Sequence, residues 1–290
     1  MAAVALPPPT IVVVDAQSSA LAAGLKRFGI ALGRAFVAVG LVVVLWQLFV
    51  VSLGENLAFS TRGPVDVWRY LFGTNSGPAR HAIQSLLWVT LGDAAIGLVS
   101  GTVGAILVAL AFNLYRPLEQ GLMPVAMALR SVPLVAMAPL IALIFGRGLV
   151  TVGVVGAIVT FFPTLVNMSF GLRSAPQQSV DLFKAYGGGR IYTLLKLQFP
   201  FALPSLFAAM RATAPLAITG ALLAEFFLVG TGLGHAINDA RNTFEYDAMW
   251  AEAAVITLFS VLTYAITVGV ESAVLAKFAP DRARAAKTGA

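Results

Sequence analysis

Six apolar stretches of this chain are each long enough to cross the hydrocarbon core of a bilayer, which restricts the fold to a bundle of membrane-spanning helices. They run Gly29 to Leu53, His81 to Phe112, Leu122 to Phe145, Leu149 to Leu172, Phe201 to Val229 and Ala248 to Lys277. A crossing takes about 20 mostly apolar residues, and a helix satisfies every backbone polar group without help from water. The second stretch exceeds one crossing, so its first turns, Ile83 to Trp88, are expected outside the hydrocarbon. Composition agrees with a lipid environment: 59% of residues are hydrophobic and 11% charged, against about 25% charged in a soluble domain. With no cysteine, disulfides and thiolate metal sites are excluded.

The net charge of +6 is a topology signal rather than a nucleic-acid footprint, because the basic residues flank the apolar stretches. An even number of crossings puts both termini on one side. Placing both inside gives the cytoplasmic segments twelve of the 19 Lys and Arg, among them Arg116, Arg173, Lys184, Arg190 and Lys196. The outer loops keep Arg62, Arg69, Arg80, Arg147 and Arg241. The first residues have Pro7-Pro8-Pro9 and Asp15 but no basic leader, so they read as a cytoplasmic tail, not an export signal. The expected organisation is a tail over residues 1–28, an all-α transmembrane domain over 29–277 and a second cytoplasmic tail over 278–290.

Within that domain a polar, basic loop covers residues 173–199. Ser174 and Pro176 read as a helix start, with the serine as cap, and the helix is expected from Pro176 to Tyr186. Val180 and Phe183 share one face. Gly187-Gly188-Gly189 ends it, since glycine enters left-handed backbone conformations at little cost. A second short helix is expected from the spacing of Ile191, Leu194 and Leu195, closing before Pro200. Such a helix pair either lies on the membrane surface or inserts into a groove on a partner.

Here the residues resemble a family. Asp181-Leu182-Phe183-Lys184-Ala185-Tyr186-Gly187, with Pro200 thirteen positions after the glycine, is similar to the cytoplasmic signature of ABC importer permeases, E-A-A-x-x-x-G, nine residues, I-x-L-P. Asp181 stands for the glutamate and Phe199-Pro200 for the Leu-Pro pair. Leu182 and Phe183 depart from the two alanines, and Gln198 and Phe199 from apolar positions. Further matches are Leu129-Arg130-Ser131-Val132-Pro133, Ala138-Pro139-Leu140, Phe145-Gly146, Gly171-Leu172-Arg173, Met210-Arg211, Ala224-Glu225 and Gly232-Leu233-Gly234. These resemble the nitrate, sulfonate, taurine and bicarbonate branch.

The resemblance implies the six-helix fold of a type I importer permease in the bacterial inner membrane, itself without catalytic activity. It implies a second permease subunit, expected to be another copy, two ATPase subunits that hold ATP and Mg, and a periplasmic or lipoprotein solute-binding protein. Asp181, Phe183, Lys184, Ala185, Tyr186, Gly187 and Pro200 would then form the element that couples to the ATPase. The solute is expected to be a small anion, given Arg130 and Arg211.

Charges inside apolar stretches cost about 2.5 to 3.5 kcal/mol each on insertion scales, so they need compensation. Arg130 and Arg211 either snorkel toward the cytoplasmic surface or face the bundle interior. Arg130, Ser131, Pro133, Arg211 and Glu225 are the candidate pathway or gate residues. Glu225 is expected to pair with an arginine as a structural lock. Prolines 124, 133, 139, 163 and 215 are expected to break or strain their helices, lining a pathway or simply packing. Asp93 occupies a position where the family often has a basic residue. His81 and His235, the only histidines, do not build a metal site, and the Gly230 to Gly234 run is a loop without nucleotide-binding context. The competing expectation is an ion-coupled secondary transporter with Arg130, Asp93, Glu225 and Glu271 as a charge relay.

Overall fold

A computed structural model describes residues 37, 39–53, 59–74 and 76–278. The expected N-terminal tail, the C-terminal tail after Phe278, which ends the last helix, and the first turns of the first apolar stretch lie outside the described residues. The chain divides into two compact units, residues 1–65 and 66–290. In the first, α1 (Val39–Ser52) is a short apolar helix, with Val42 and Phe49 exposed.

The described residues of the second unit form helices joined by short turns and loops. After α2 (Pro64–Phe72) come α3 (Gly77–Leu114), α4 (Arg116–Leu129), α5 (Leu134–Phe145), α6 (Leu149–Arg173), α7 (Gln177–Ala185), α8 (Arg190–Thr193), α9 (Phe199–Phe227), α10 (Gly232–Asn242) and α11 (Tyr246–Phe278). Four helices are long and apolar enough to cross a membrane: Gly77–Leu114, Leu149–Arg173, Arg190–Phe227 and Tyr246–Leu275. The pair α4 and α5 makes a fifth if counted as one span. At 38 residues, α3 is about 57 Å long at 1.5 Å per residue. It therefore outruns the hydrocarbon, as its sequence suggested.

α3, α6 and α9 form the centre of this unit, with α11 against α9 and α10 touching α3, α9 and α11. Small residues set the approach. A Cβ placed on Gly156 of α6 would lie 2.7 Å from the Cα of Gly97 on α3, and one on Gly220 of α9 would lie 3.2 Å from the Cα of Gly156. Between lipid-facing helices, packing and interhelical hydrogen bonds drive association rather than water exclusion. Thr160 adds such a bond, its hydroxyl donating to the Gly97 carbonyl at 3.1 Å and to Gly156 within its own helix at 3.0 Å. Toward the end bearing α7, Ala109, Phe112, Leu165, Met168, Leu172, Leu194 and Leu206 make one buried cluster. At the other end Ile141, Val152, Val155, Ala224 and Leu228 make a second.

Proline behaves less disruptively than expected. Pro124, Pro139, Pro163, Pro204 and Pro215 all sit inside continuous helices. Of the five prolines expected to break or strain a span, Pro133 alone coincides with a break, where α4 and α5 meet at 104°. The last turn of α4 tightens there, with Ser131 and Val132 amides donating to Ala128 and Leu129 carbonyls three residues back. Pro133 has no amide to continue the ladder and restricts Val132 to non-helical conformations.

Two loop expectations are corrected. Ser174 does not cap α7: its hydroxyl donates to the Gly171 carbonyl at 2.7 Å, finishing α6, and Pro176 occupies the position before α7. The second loop helix is not separate either. Arg190 to Phe227 runs as one span, through a π-helical turn at Leu194–Gln198. That wider turn accommodates Pro200, whose ring would otherwise meet the carbonyl four residues before it.

Candidate functional site

The end of the bundle that carries α7 presents one compact projecting helix. Its stop is built by glycine: Gly187 has φ +80°, the left-handed conformation that costs residues with a Cβ roughly 1–2 kcal/mol. The Gly188 amide donates back to Phe183 at 2.8 Å and the Gly187 amide to Lys184 at 2.9 Å, which satisfies two terminal carbonyls. A Cβ on Gly188 would meet the Phe183 carbonyl oxygen at 2.6 Å, so the second glycine is required for space.

Val180 is buried and Phe183 half-buried, which puts one apolar edge of α7 against the bundle. Phe183 packs near Tyr192 of α8, ring centroids 6.2 Å apart. With Leu182, Tyr186 and the three glycines they line an open notch of about 590 Å³. Tyr186 is 86% exposed. Asp181 and Lys184 share the outer face at 3.6 Å, and Gln177 donates to Asp181 at 2.9 Å; Ala185 is exposed beside them. Pro200 lies apart from the notch, in the first turn of α9.

Within the spans the polar residues fall into separate groups. Glu225 is completely buried near the end of α9. Its Oε2 accepts from the Thr90 hydroxyl at 2.9 Å and from the Gly234 amide at 2.8 Å, while Thr90 Oγ1 accepts from the Leu233 amide at 2.8 Å. One carboxylate and one hydroxyl, from two spans, therefore cap the first turn of α10, where amides have no intrahelical acceptor. Asp93, one turn along α3 from Thr90, is also buried and lies close to the Glu225 carboxyl. Glu225 makes no ion pair with an arginine among the described residues, which corrects the expected lock. The locking function falls to a hydroxyl and two amides instead.

Arg211 is paired with the buried Glu271 of α11 at 3.0 Å, and Arg173 with the buried Glu119 of α4. Arg130 ends α4 at the break, exposed, beside Ser131 and Pro133, which are also exposed. The Ser131 hydroxyl turns back to the Ala128 carbonyl at 2.6 Å, and Arg130 makes no ion pair among the described residues. No hydrogen bond or ion pair among the described residues joins Arg130, the Asp93–Glu225 pair and Glu271 into a relay. No group of three or more metal-ligating side chains gathers among the described residues.

Thr90, Glu119 and Tyr192 were not among the residues singled out from sequence. Thr90 and Asp93 had a readable signal: they fall in the buried stripe of α3 formed by Ile83, Leu87, Ala94, Gly97 and Gly101, which recurs every three or four positions.

Residues 101–275 match the family described as binding-protein-dependent transport system inner membrane component. The riboflavin transport system permease protein RibX of Chloroflexus aurantiacus is 38% identical over 52% of this chain, spanning 56% of its own length. A "Probable ABC transporter permease protein" of Haemophilus influenzae is 30% identical over 78% of this chain and 90% of its own length. An inward-facing structure of the MetNI methionine ABC transporter superposes with TM-score 0.57 at 19% identity, over 69% of this chain and 99% of that one, which shows the fold. The chain belongs to the binding-protein-dependent transport family, as the multi-pass, non-catalytic permease subunit of an ATP-driven ABC importer that works with a separate ATPase and a binding protein.

Proposed function

We propose that α7 is the coupling helix, held in a groove of the ATPase subunit on the cytoplasmic side of the bacterial inner membrane. The observation that carries this reading is the notch. Leu182 and Tyr186 are exposed apolar surface on a rigidly terminated helix outside the four long spans, the form taken by helix-in-groove recognition. Phe183 braces α7 from behind through Tyr192, Gly187 sets its exit angle, and Asp181, Lys184 and Ala185 supply the rim. Pro200 fixes where the span behind it begins. ATP and Mg would be held by the partner ATPase, and closure of that subunit would be passed through α7 to α6 and α9.

The other half of the path comes from a second copy of this chain, with the binding protein docking at the opposite end, around α10. Arg130, Ser131 and Pro133 form the gate at the break, with Arg211 and Glu225 as supports. Arg130, exposed and without an ion pair among the described residues, favours a small anion such as nitrate, a sulfonate, taurine or bicarbonate. A second reading, a heteroaromatic vitamin, is favoured by the likeness to RibX.

The test is purification of the tagged chain from its native membrane in mild detergent. A stoichiometric ATPase should accompany it, and Phe183→Asp and Gly187→Pro should lose the ATPase and uptake while remaining inserted. A chain that purifies alone and transports in liposomes under an ion gradient would overturn the assignment. Competition of labelled solute uptake by nitrate, an alkanesulfonate and riboflavin separates the two solute readings.

A further inference from the structure

A different cleft, of about 680 Å³, opens among the α3–α4 corner, the end of α6, α7 and α8. Four cations line it, Arg116, Arg173, Lys184 and Arg190, against one carboxylate, Glu119. Lys184 is paired with Asp181 at 3.6 Å, but the charge of the three arginines is poorly compensated. Glu119 is taken by Arg173, whose planar guanidinium retains further donors. Arg190 makes only a long 3.4 Å contact with the Asn113 carbonyl. Arg116 makes no ion pair or hydrogen bond among the described residues. Arginines converging from three elements match the oxygens of a phosphate, which a guanidinium binds in bidentate fashion.

A second groove, of about 450 Å³, shares Arg116, Glu119 and Arg173 and continues along α4 past Met123, Pro124 and Met127. α4 is the first half of the bent apolar pair, so this groove leads from the basic cleft toward the hydrocarbon. Phosphate alone has no use for it; an acyl chain does.

We propose that the joined clefts hold one anionic phospholipid of the cytoplasmic leaflet, its phosphate among Arg116, Arg173 and Arg190 and the start of an acyl chain along Met123 to Met127. Basic pockets between spans on that side of a membrane suit anionic headgroups. The side rests on the orientation proposed above. The bound phosphate would tie the α3–α4 corner, the end of α6 and α8 together, the three supports between which α7 projects. Anionic lipid would thereby stiffen the coupling element without entering the solute path.

The experiment is native mass spectrometry of the purified full chain from mixed phosphatidylglycerol and phosphatidylcholine micelles. One phosphatidylglycerol should be retained in preference to phosphatidylcholine, and Arg116→Gln combined with Arg190→Gln should weaken its retention roughly thirtyfold. Arg116→Lys, which keeps the charge but loses the bidentate fork, should weaken retention less than Arg116→Gln does. Equal retention of both lipids, or retention unchanged in the double variant, would overturn the proposal. Displacement by excess inorganic phosphate would assign the cleft to a free anion, and displacement by added ATPase subunit would assign it to the docking surface; each also overturns it. Lipid retention is read on the chain alone, so its failure is distinct from loss of ATPase co-purification.

Discussion

Glu225 and Thr90, 135 positions apart, share a buried 2.9 Å hydrogen bond that joins the end of α9 to α3 and holds down the first turn of α10. Removing either side chain leaves amide donors of α10 without acceptors in a dry interior. Glu225→Ala and Thr90→Val should each lower stability by about 1–3 kcal/mol, the cost of an unsatisfied buried group. The double variant should cost much less than the sum. Thermal denaturation of the purified protein, followed by size-exclusion chromatography, measures all three; strict additivity would show the two residues to be independent.

Gly232 and Gly230 provide a paired control for the same corner. Gly232 has φ +85°, and a Cβ there would fall on the Glu225 carboxyl, whereas a Cβ on Gly230 meets nothing within 4 Å. Gly232→Ala should lower the melting temperature markedly and Gly230→Ala should leave it near wild type. Equal effects would mean that the carboxylate does not sit under this turn.

At the centre of the bundle, Gly156 should tolerate no side chain. Its Cβ would collide with Gly97 backbone that cannot rotate away, while Gly92 on α3 has open space around it. Gly156→Ala should reduce the yield of monodisperse protein and its thermal stability by more than about 1 kcal/mol, the scale of overpacking. Gly92→Ala should be neutral in the same expression and melting assays.

What could be read from sequence was what neighbours along the chain decide. The stop of α7 at Gly187 depends on one residue's freedom to take a positive φ, and the break at Pro133 on one missing amide. Both are local, and both were legible. The partners of the buried charges were not. Glu225 finds Thr90 on another span, and a lone threonine among apolar residues reads as packing until its neighbours are known. Arg211 finds Glu271, 60 positions later. The second loop helix was misread for a related reason: Ile191, Leu194 and Leu195 have helical spacing, but only the π-helical turn ahead of Pro200 lets that pattern continue into α9. Proline inside a span was likewise overweighted: Pro124, Pro139, Pro163, Pro204 and Pro215 sit within four helices that remain continuous.

The Arg211–Glu271 pair makes the last prediction. Glu271 is 10% exposed at its side chain and Arg211 43%, so the carboxylate carries most of the desolvation and the guanidinium is partly screened. Arg211→Ala leaves a buried carboxylate without its cation and should destabilise the protein by several degrees in a detergent melt. Glu271→Gln should be milder, because its stranded partner can still reach solvent or headgroups. Reversing the charges, Arg211→Glu with Glu271→Arg, should recover part of the loss. If Arg211→Ala instead abolishes uptake at unchanged melting temperature, the arginine is spent on the transported solute and not on holding α11 to α9.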